Sequence, residues 1–573
     1  MSSKKQEARG KTPALRKRGP STTRASAGWS WALVCSLAGM LMTGCTMFGG
    51  GKDSAGRAIP PDTFQQIKPL QLEKARSKTE PNVTADANQA APAGKLELTL
   101  EQCRAMALEN NLQLKATLVD PTIAAERVNQ ERAKFEAVFS ANATLNKTNT
   151  PAISFYDEIL GSERESLDLD AGIQKPLESG GSVTLRAVDS RARTDVDPKF
   201  TTLNPSYGSD LAFSISQPLL RNLGSKASTY SIRIAGIDRQ ITNARTRLEV
   251  IRLIAELDRL YWRLVAARKQ LEVSRKQSDL AKAQLDQARR LVIQGERAPV
   301  EIVRAQAGVA QQLEAIITAE NNLQDRQREL KRQINQANLG MQTPTTVVPL
   351  TEPVPVRYDL KPDQLVESAV KGRMEMLELE LQLAQDALTI DYQRNQSLPL
   401  ISLDYNYNLS GTGASRQDSW DMLSEGRFAD NRLGLRLQVP IGNQAAKSRV
   451  RQAVYQKCQR LATREDRRSQ IEQEVLAAVA KLQANWQRIM AGRQNTVLAG
   501  RVYEAEKRQF EQGLRTSTDV LDAQAKLANA QSTEISALAD YQIALVDLAY
   551  ATGTLLGASN VEWQPIRPSD KNR

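Results

Sequence analysis

The chain of 573 residues contains no histidine and only four cysteines. Without imidazole there is no Ser-His-Asp triad, no histidine-ligated zinc and no acid–base group that titrates near neutrality unperturbed. Carboxylate or lysine chemistry stays open, but the sequence carries no glycine-rich phosphate loop and no Cys/His cluster. No enzymatic activity, cofactor or metal site is therefore expected. Aromatic residues make up only 5% of the chain, and no run of 18 or more apolar residues occurs, so no membrane-spanning helix is expected. Acidic residues are outnumbered, 65 against 77 basic, for a formal charge of +12. An excess of that size ordinarily points to nucleic acid or an anionic surface. Here eight basic side chains oppose only Glu7 within the first 28 residues, so seven of the twelve charges sit at the N-terminus. The rest of the basic surface lacks interleaved aromatics, and no nucleic-acid partner is expected.

The basic segment is followed by a 13-residue apolar run, Trp29 to Leu41, and then by Leu41-Met-Thr-Gly-Cys45. A run of that length is too short to span a bilayer and suits the core of a signal peptide. Small residues before a cysteine resemble the lipobox of bacterial lipoproteins, with Cys45 as the lipid-attachment residue and N-terminus of the mature chain. The alternative is a plain signal peptide with an incidental cysteine. Thr46 rather than Asp follows the cysteine, which points to sorting to the outer membrane. Cys103 and Cys458 lie far apart without metal-ligand spacing and are expected to be free, buried and inert.

Past this leader the chain says the same thing twice. Gln294-Gly-Glu-Arg-Ala-Pro-Val-Glu-Ile-Val-Arg-Ala-Gln-Ala307 aligns without gaps to Gln512-Gly-Leu-Arg-Thr-Ser-Thr-Asp-Val-Leu-Asp-Ala-Gln-Ala525. Each half holds one long proline-free helical pattern, 225–293 and 445–511, reaching roughly 100 Å at about 1.5 Å per residue. Ile254, Leu257, Tyr261, Leu264 and Leu271 form a seam on the first, and Ile471, Val475, Ala478, Leu482 and Ile489 on the second. Two shorter helical patterns accompany each: 98–135 with 300–338, and 362–395 with 518–556. Heptads alone would fit a filamentous coiled coil. Between the helices, however, residues alternate strictly. Ile401, Leu403, Tyr405, Tyr407 and Leu409 are separated by polar side chains, as are Leu433, Leu435, Leu437 and Val439 by Gly434, Arg436 and Gln438. The first half has four such segments, near 137–147, Leu167 to Gln174, Val183 to Arg193 and 210–217, with Glu178-Ser-Gly-Gly181 as a tight turn. A period of two over about ten residues fits an outer-membrane barrel strand, or an ordinary half-buried sheet.

Taken in order, these features resemble the outer-membrane factor (TolC-like) family of exit ducts over about residues 96–558. The marks are Leu98-Thr-Leu-Glu-Gln with Ala107-Leu-Glu-Asn-Asn, the exits Gln217-Pro-Leu-Leu and Val439-Pro-Ile, the duplicated hairpins, and Gly513-Leu-Arg-Thr-Ser-Thr-Asp-Val-Leu-Asp522. The resemblance implies a mostly α fold with a membrane β-barrel portion. Three chains would pool strands into one outer-membrane barrel, and their helical hairpins would form a periplasmic α-barrel tunnel. The expected organisation is a signal peptide over 1–44, a lipid-anchored tether over 45–95, a first repeat over 96–339, a linker over 340–358, a second repeat over 359–558 and a tail over 559–573. Two strands per half are the family norm, so the extra first-half hairpin either enlarges the barrel or folds beside it; extra strands are the expectation.

The implied function is a passive exit duct of a tripartite efflux or type I secretion system. Its partners would be a periplasmic adaptor, an inner-membrane transporter and outer-membrane lipid. The competing expectation is a lipid-anchored coiled-coil scaffold without channel activity. By the resemblance, Asp519 and Asp522 line a narrow periplasmic mouth, Arg515 helps to hold it closed, and Glu301 is the acidic gate residue of the first half. Phe510 stands where the family can carry a tyrosine and lacks its hydroxyl. Alternatively, these charges are solvated side chains near a helix start, where acids are favoured anyway. The tip residues Gly295, Arg297, Gly513 and Leu514 are the expected adaptor contacts.

Overall fold

The computed structural model describes residues 94–149, 151, 163–196, 201–336 and 338–559. The expected leader, Cys45, the tether up to residue 93 and the tail from 560 lie outside these residues. The described chain begins with β1 (Lys95–Leu98), followed by α1 (Leu100–Asn110), α2 (Leu112–Thr117) and α3 (Asp120–Ala133). Four strands come next: β2 (Val138–Asn149), β3 (Glu163–Pro176), β4 (Ser182–Thr194) and β5 (Ser206–Pro218). After the short α4 (Ser225–Ser228) come α5 (Tyr230–Ile293) and α6 (Val300–Ile334). The second half runs β6 (Thr346–Pro349), α7 (Pro362–Gly372), α8 (Met374–Gln396), β7 (Leu400–Gly413), α9 (Arg416–Ser424) and β8 (Ala429–Gln438). It closes with α10 (Gln444–Glu511), α11 (Ser517–Ala551) and α12 (Leu555–Ala558).

The long helices form where the apolar spacing requires, 64 residues in α5 and 68 in α10. All ten expected seam residues are buried. Two expected helices are broken instead. The 98–135 segment divides where extended Asn111 ends α1 and caps α2 by accepting the Leu114 amide. It divides again before Pro121, which has no N–H to continue an incoming helix. The 362–395 segment breaks at Arg373, whose extended backbone lets its buried guanidinium reach Glu375 and Glu474. The 340–358 linker is not a bare connection, because β6 within it pairs in parallel with β1, from Lys95↔Thr346 to Leu98↔Pro349.

Helices α5 and α6 pack as one antiparallel hairpin and α10 and α11 as another, and α11 also packs on α5. Nearer the strands, α3 lies on α5 and α8 on both α5 and α10. Each long helix is thus matched by two shorter pieces along its length. The first-half core closes around Tyr261, which is fully buried. Its hydroxyl donates to the Leu98 carbonyl at 3.1 Å and accepts the Thr351 amide at 3.0 Å, tying the two halves' connecting segments to α5. Beside it Arg104 grips Asp258 with two hydrogen bonds of 2.8 and 2.7 Å. Cys103 is buried here, and burial, then the Asp258 charge, push its thiol up to about 12. Cys458 is free but exposed, so only one of the two cysteines has the buried setting expected.

The strands form one six-stranded antiparallel sheet in the order β2-β3-β4-β5-β7-β8. All four first-half segments are strands, and the β3–β4 hairpin is an integral part of the sheet rather than an appendage. Its turn uses Gly180 at φ +92°, with the Leu177 amide bonded to the Gly181 carbonyl at 2.8 Å. Opposed residues in a ladder share a face. One register row reads Phe139, Ile173, Leu185, Phe213 and Tyr407. A row on the other face reads Asn142, Asp170, Val188, Asp210 and Ser410. The sheet is thus apolar on one side and largely hydrophilic on the other. Leu145, Leu433, Leu435 and Leu437 on the apolar face are strongly exposed. The outermost strands β2 and β8 each have one edge without a strand partner among the described residues.

Candidate functional site: the paired hairpin tips

At the end of each long helix the chain reverses through the same local geometry. In the first tip Gly295 has φ +78°, its amide bonds the Val292 carbonyl at 3.0 Å, and the Glu296 amide bonds the Leu291 carbonyl at 2.9 Å. In the second, Gly513 has φ +82°, with Gly513 to Phe510 at 3.1 Å and Leu514 to Gln509 at 2.9 Å. These paired bonds are Schellman motifs, and the left-handed backbone explains a glycine at both matched positions.

The second tip then starts α11 with a capping box. Thr516 Oγ1 accepts the Asp519 amide, and the Asp519 carboxylate accepts the Thr516 amide and hydroxyl, both at 2.9 Å. The backbone and then the side-chain bond from Thr516 hold the Asp519 carboxyl below the usual carboxylate range. Asp519 therefore has a structural duty that the sequence spacing to Asp522 did not reveal, although Thr516-x-x-Asp519 at a helix start could have signalled it. Asp522, one turn further, is exposed and its carboxylate has no partner among the described residues.

Glu301 does not stand free at the first tip. It is 6% exposed, and its carboxylate accepts the backbone amide of Ser517, the first residue of α11, at 2.9 Å. Its other oxygen accepts from Arg304 at 2.8 Å. The Ser517 residue is itself fully buried. A carboxylate at a helix N-terminus is favoured both by the unpaired amides and by the helix dipole. This bond joins residues 216 positions apart and links the two hairpin tips.

A second link runs alongside. Arg297 donates to the Phe510 carbonyl at 3.0 Å, and its guanidinium lies 5.0 Å from the centre of the Phe510 ring, which is fully buried. The ring is held by packing and by the cation above it, without a hydroxyl. Arg515 pairs within its own hairpin, with Gln509 at 3.1 Å and Glu506 at 3.2 Å. Gly308 on α6 permits close approach of α11, because a Cβ there would lie 2.7 Å from the Leu521 side chain. Leu514 is 72% exposed, and Ile293, Val300 and Val303 join it as exposed apolar residues that the sequence reading did not single out.

The structure thus brings Glu301 and Arg297 of the first repeat against Phe510 and Ser517 of the second. It leaves Asp522 and Leu514 facing solvent. Residues 365–554 match the outer membrane efflux protein family. The chain is 26% identical over 201 residues to outer membrane protein TolC of Vibrio cholerae serotype O1, covering 34% of this chain and 44% of that one. It is 26% identical over 268 residues to TolC of Escherichia coli K12, covering 45% and 53%. These matches span about half the length of the relatives. The fold superposes on the outer membrane protein VceC of Vibrio cholerae with a TM-score of 0.59 at 13% identity, over 79% of this chain and 96% of that one. The second half of the chain thus matches the outer membrane efflux protein family, the sequence is similar to the TolC proteins, and the fold is similar to that of VceC.

Proposed function

We propose that the protein is an outer-membrane exit duct, passing substrates outward without chemistry of its own. The observation that carries this reading is the two-faced sheet at the end of two long helical hairpins. Much of its apolar face is exposed, its other face is largely polar, and its two outer edges have no strand partner among the described residues. Unpaired backbone groups cost several kcal/mol each in hydrocarbon, so such a sheet enters lipid only if its edges close on other copies. Three copies of a six-stranded sheet make a barrel of eighteen strands, a size at which barrels leave an aqueous channel. The hydrophilic face then lines water and the apolar face meets lipid. The alternative, an envelope scaffold, provides no role for an exposed apolar sheet face.

In this reading the helical hairpins continue the duct into the periplasm, and the paired tips are its gate. Asp522 and Asp519 of three chains form rings of carboxylates at the mouth. Glu301 and Arg297 latch one hairpin to the other, and Arg515 braces the second turn. Gly295, Gly513 and above all exposed Leu514 offer the surface that a periplasmic adaptor contacts, with an inner-membrane transporter supplying the energy. Cys45 carries the lipid anchor. The purified protein should run as a heat-modifiable, detergent-resistant trimer and conduct in planar bilayers. A monomer without single-channel currents would overturn the duct. Loss of metabolic palmitate labelling in Cys45→Ala tests the anchor separately, as does loss of adaptor crosslinking in Leu514→Asp for the tip.

A further inference from the structure

The loop between β7 and β8 folds back as α9, nine residues long, and lies on the apolar side of the sheet. Several close approaches define that side. A Cβ on Gly411 would fall 2.1 Å from the Ser419 carbonyl oxygen, and one on Gly413 2.5 Å from the Asp418 side chain. Ser209, opposite Gly411 in the ladder, is fully buried and shares a 2.7 Å hydrogen bond with Ser419. Gly411, Ser209 and Asp189 form one register row, two residues beyond the row of Leu409, Leu211 and Ala187. The helix therefore covers the apolar face at the end of the sheet remote from the long helices.

That row contains a charge on a face otherwise built for lipid. Asp189 is met by Arg416 at 2.9 Å and by the Trp420 indole N–H at 3.0 Å, both from α9. Two more acids lie on α9: exposed Asp421, and Asp418, whose carboxylate accepts the Ser415 amide at the helix start. Carboxylates on the lipid face of a barrel belong near its interfaces and not in mid-membrane. Two rows further out, Lys147, Glu165 and Arg193 stand side by side, and the apolar face ends. Trp420 is 39% exposed, lines one open groove with Ala143 and Leu169 of the same row, and has its polar edge satisfied. An amphipathic ring so placed suits the level where head groups meet acyl chains. From the row of Leu409 to that of Ile401 the strand rises roughly 26 Å, comparable to the apolar band of an outer-membrane barrel before tilt is counted.

We propose that α9 is an interfacial collar. It lies in the head-group layer of the outer leaflet against the lipid-facing side of the sheet, with Trp420 at the upper limit of the acyl chains, and it sets the depth at which the barrel sits. The proposal rests on the outer-membrane barrel reading above. Its occupant is the lipid of the outer leaflet, because the surface that α9 extends is continuous with the apolar band and the helix neutralises the one acid in its row.

The test uses the full-length protein in phosphatidylcholine vesicles whose acyl chains carry bromine, a tryptophan quencher, either near the head group or near the chain end. Subtracting the emission of Trp420→Phe isolates Trp420, and Leu435→Trp at a strongly exposed mid-face position reports the apolar band. The expected result is a larger loss of Trp420 emission with shallow bromine and of the Leu435→Trp emission with deep bromine. If the Leu435→Trp reporter is quenched by deep bromine while Trp420 is untouched by either lipid, the collar is wrong and the barrel stands. Trp420 quenched best by deep bromine would also overturn it. Absence of quenching at both positions would overturn the lipid-facing assignment together with the inference built on it.

Discussion

Replacing Glu301 by alanine removes one bond, and the consequence can be sized from its surroundings. The carboxylate is nearly enclosed and accepts the amide of a fully buried residue at the start of α11, so water does not readily replace it. A hydrogen bond to a charged group contributes about 1.5–3 kcal/mol, which corresponds to roughly tenfold to 150-fold in the equilibrium between joined and separated tips. The separation is local, because α6 and α11 remain packed on their long partners. Amide exchange of the peptide carrying Ser517 should therefore accelerate by about that factor while exchange in the core around Tyr261 is unchanged. Glu301→Gln keeps an acceptor but loses the charge, and should fall between the variant and the parent. In planar bilayers the alanine variant should show a higher resting conductance. Unaltered exchange at Ser517 together with unaltered conductance would refute the latch.

Three further outcomes follow from particular residues. Asp522→Ala should weaken block of single-channel current by a trivalent cation, and adding Asp519→Asn, which keeps a capping acceptor, should weaken it further; equal block in all variants would remove both from the mouth. Tyr261→Phe leaves the Leu98 carbonyl and Thr351 amide without their shared hydroxyl, and should destabilise the β1–α5 junction by about 1–3 kcal/mol, read as faster exchange there with the tips unaffected. At Glu375 burial opposes ionisation, but bonding to Arg373 and the nearby Arg467 hold the carboxyl below its ordinary range. Its stabilisation is then complete above the unfolded value of about 4.3 and is lost as pH falls through the lower folded value. Acid unfolding should accordingly show a smaller pH slope in this window for Glu375→Gln than for the parent, measured by circular dichroism.

Much of this architecture was legible in one dimension because its elements are long and strictly periodic. The seam from Ile254 to Leu271 and the alternation from Ile401 to Leu409 each repeat often enough to name helix or strand without help from the rest of the fold. The two Schellman turns were readable from glycines at matched places in a repeat. Breaks were harder. Arg373 interrupts a helix because its side chain finds distant Glu474, which no local propensity marks; Asn111 is a favoured N-cap residue, but its side-chain amide is also fixed from afar by the Gln333 carbonyl. The small strand β6 is four residues long and exists because β1 lies beside it, so the segment around it reads as linker. At the tips, the sequence pattern selected Glu301, Asp519 and Arg297 but not their roles. Asp519 caps its own helix, while Glu301 and Arg297 cross to the other hairpin.

The sequence by itself determined the duplicated plan, the two periods and the sites of chain reversal, since each depends on interactions within a few residues. Tertiary structure alone decided that the β3–β4 hairpin lies inside the sheet, that α9 folds onto its apolar side, and that a carboxylate near residue 300 finds an amide near residue 517. Those outcomes depend on which surfaces meet after the long helices have packed. They also depend on burial, which makes a distant charged hydrogen bond decisive where the same side chain in water would have many equivalent partners.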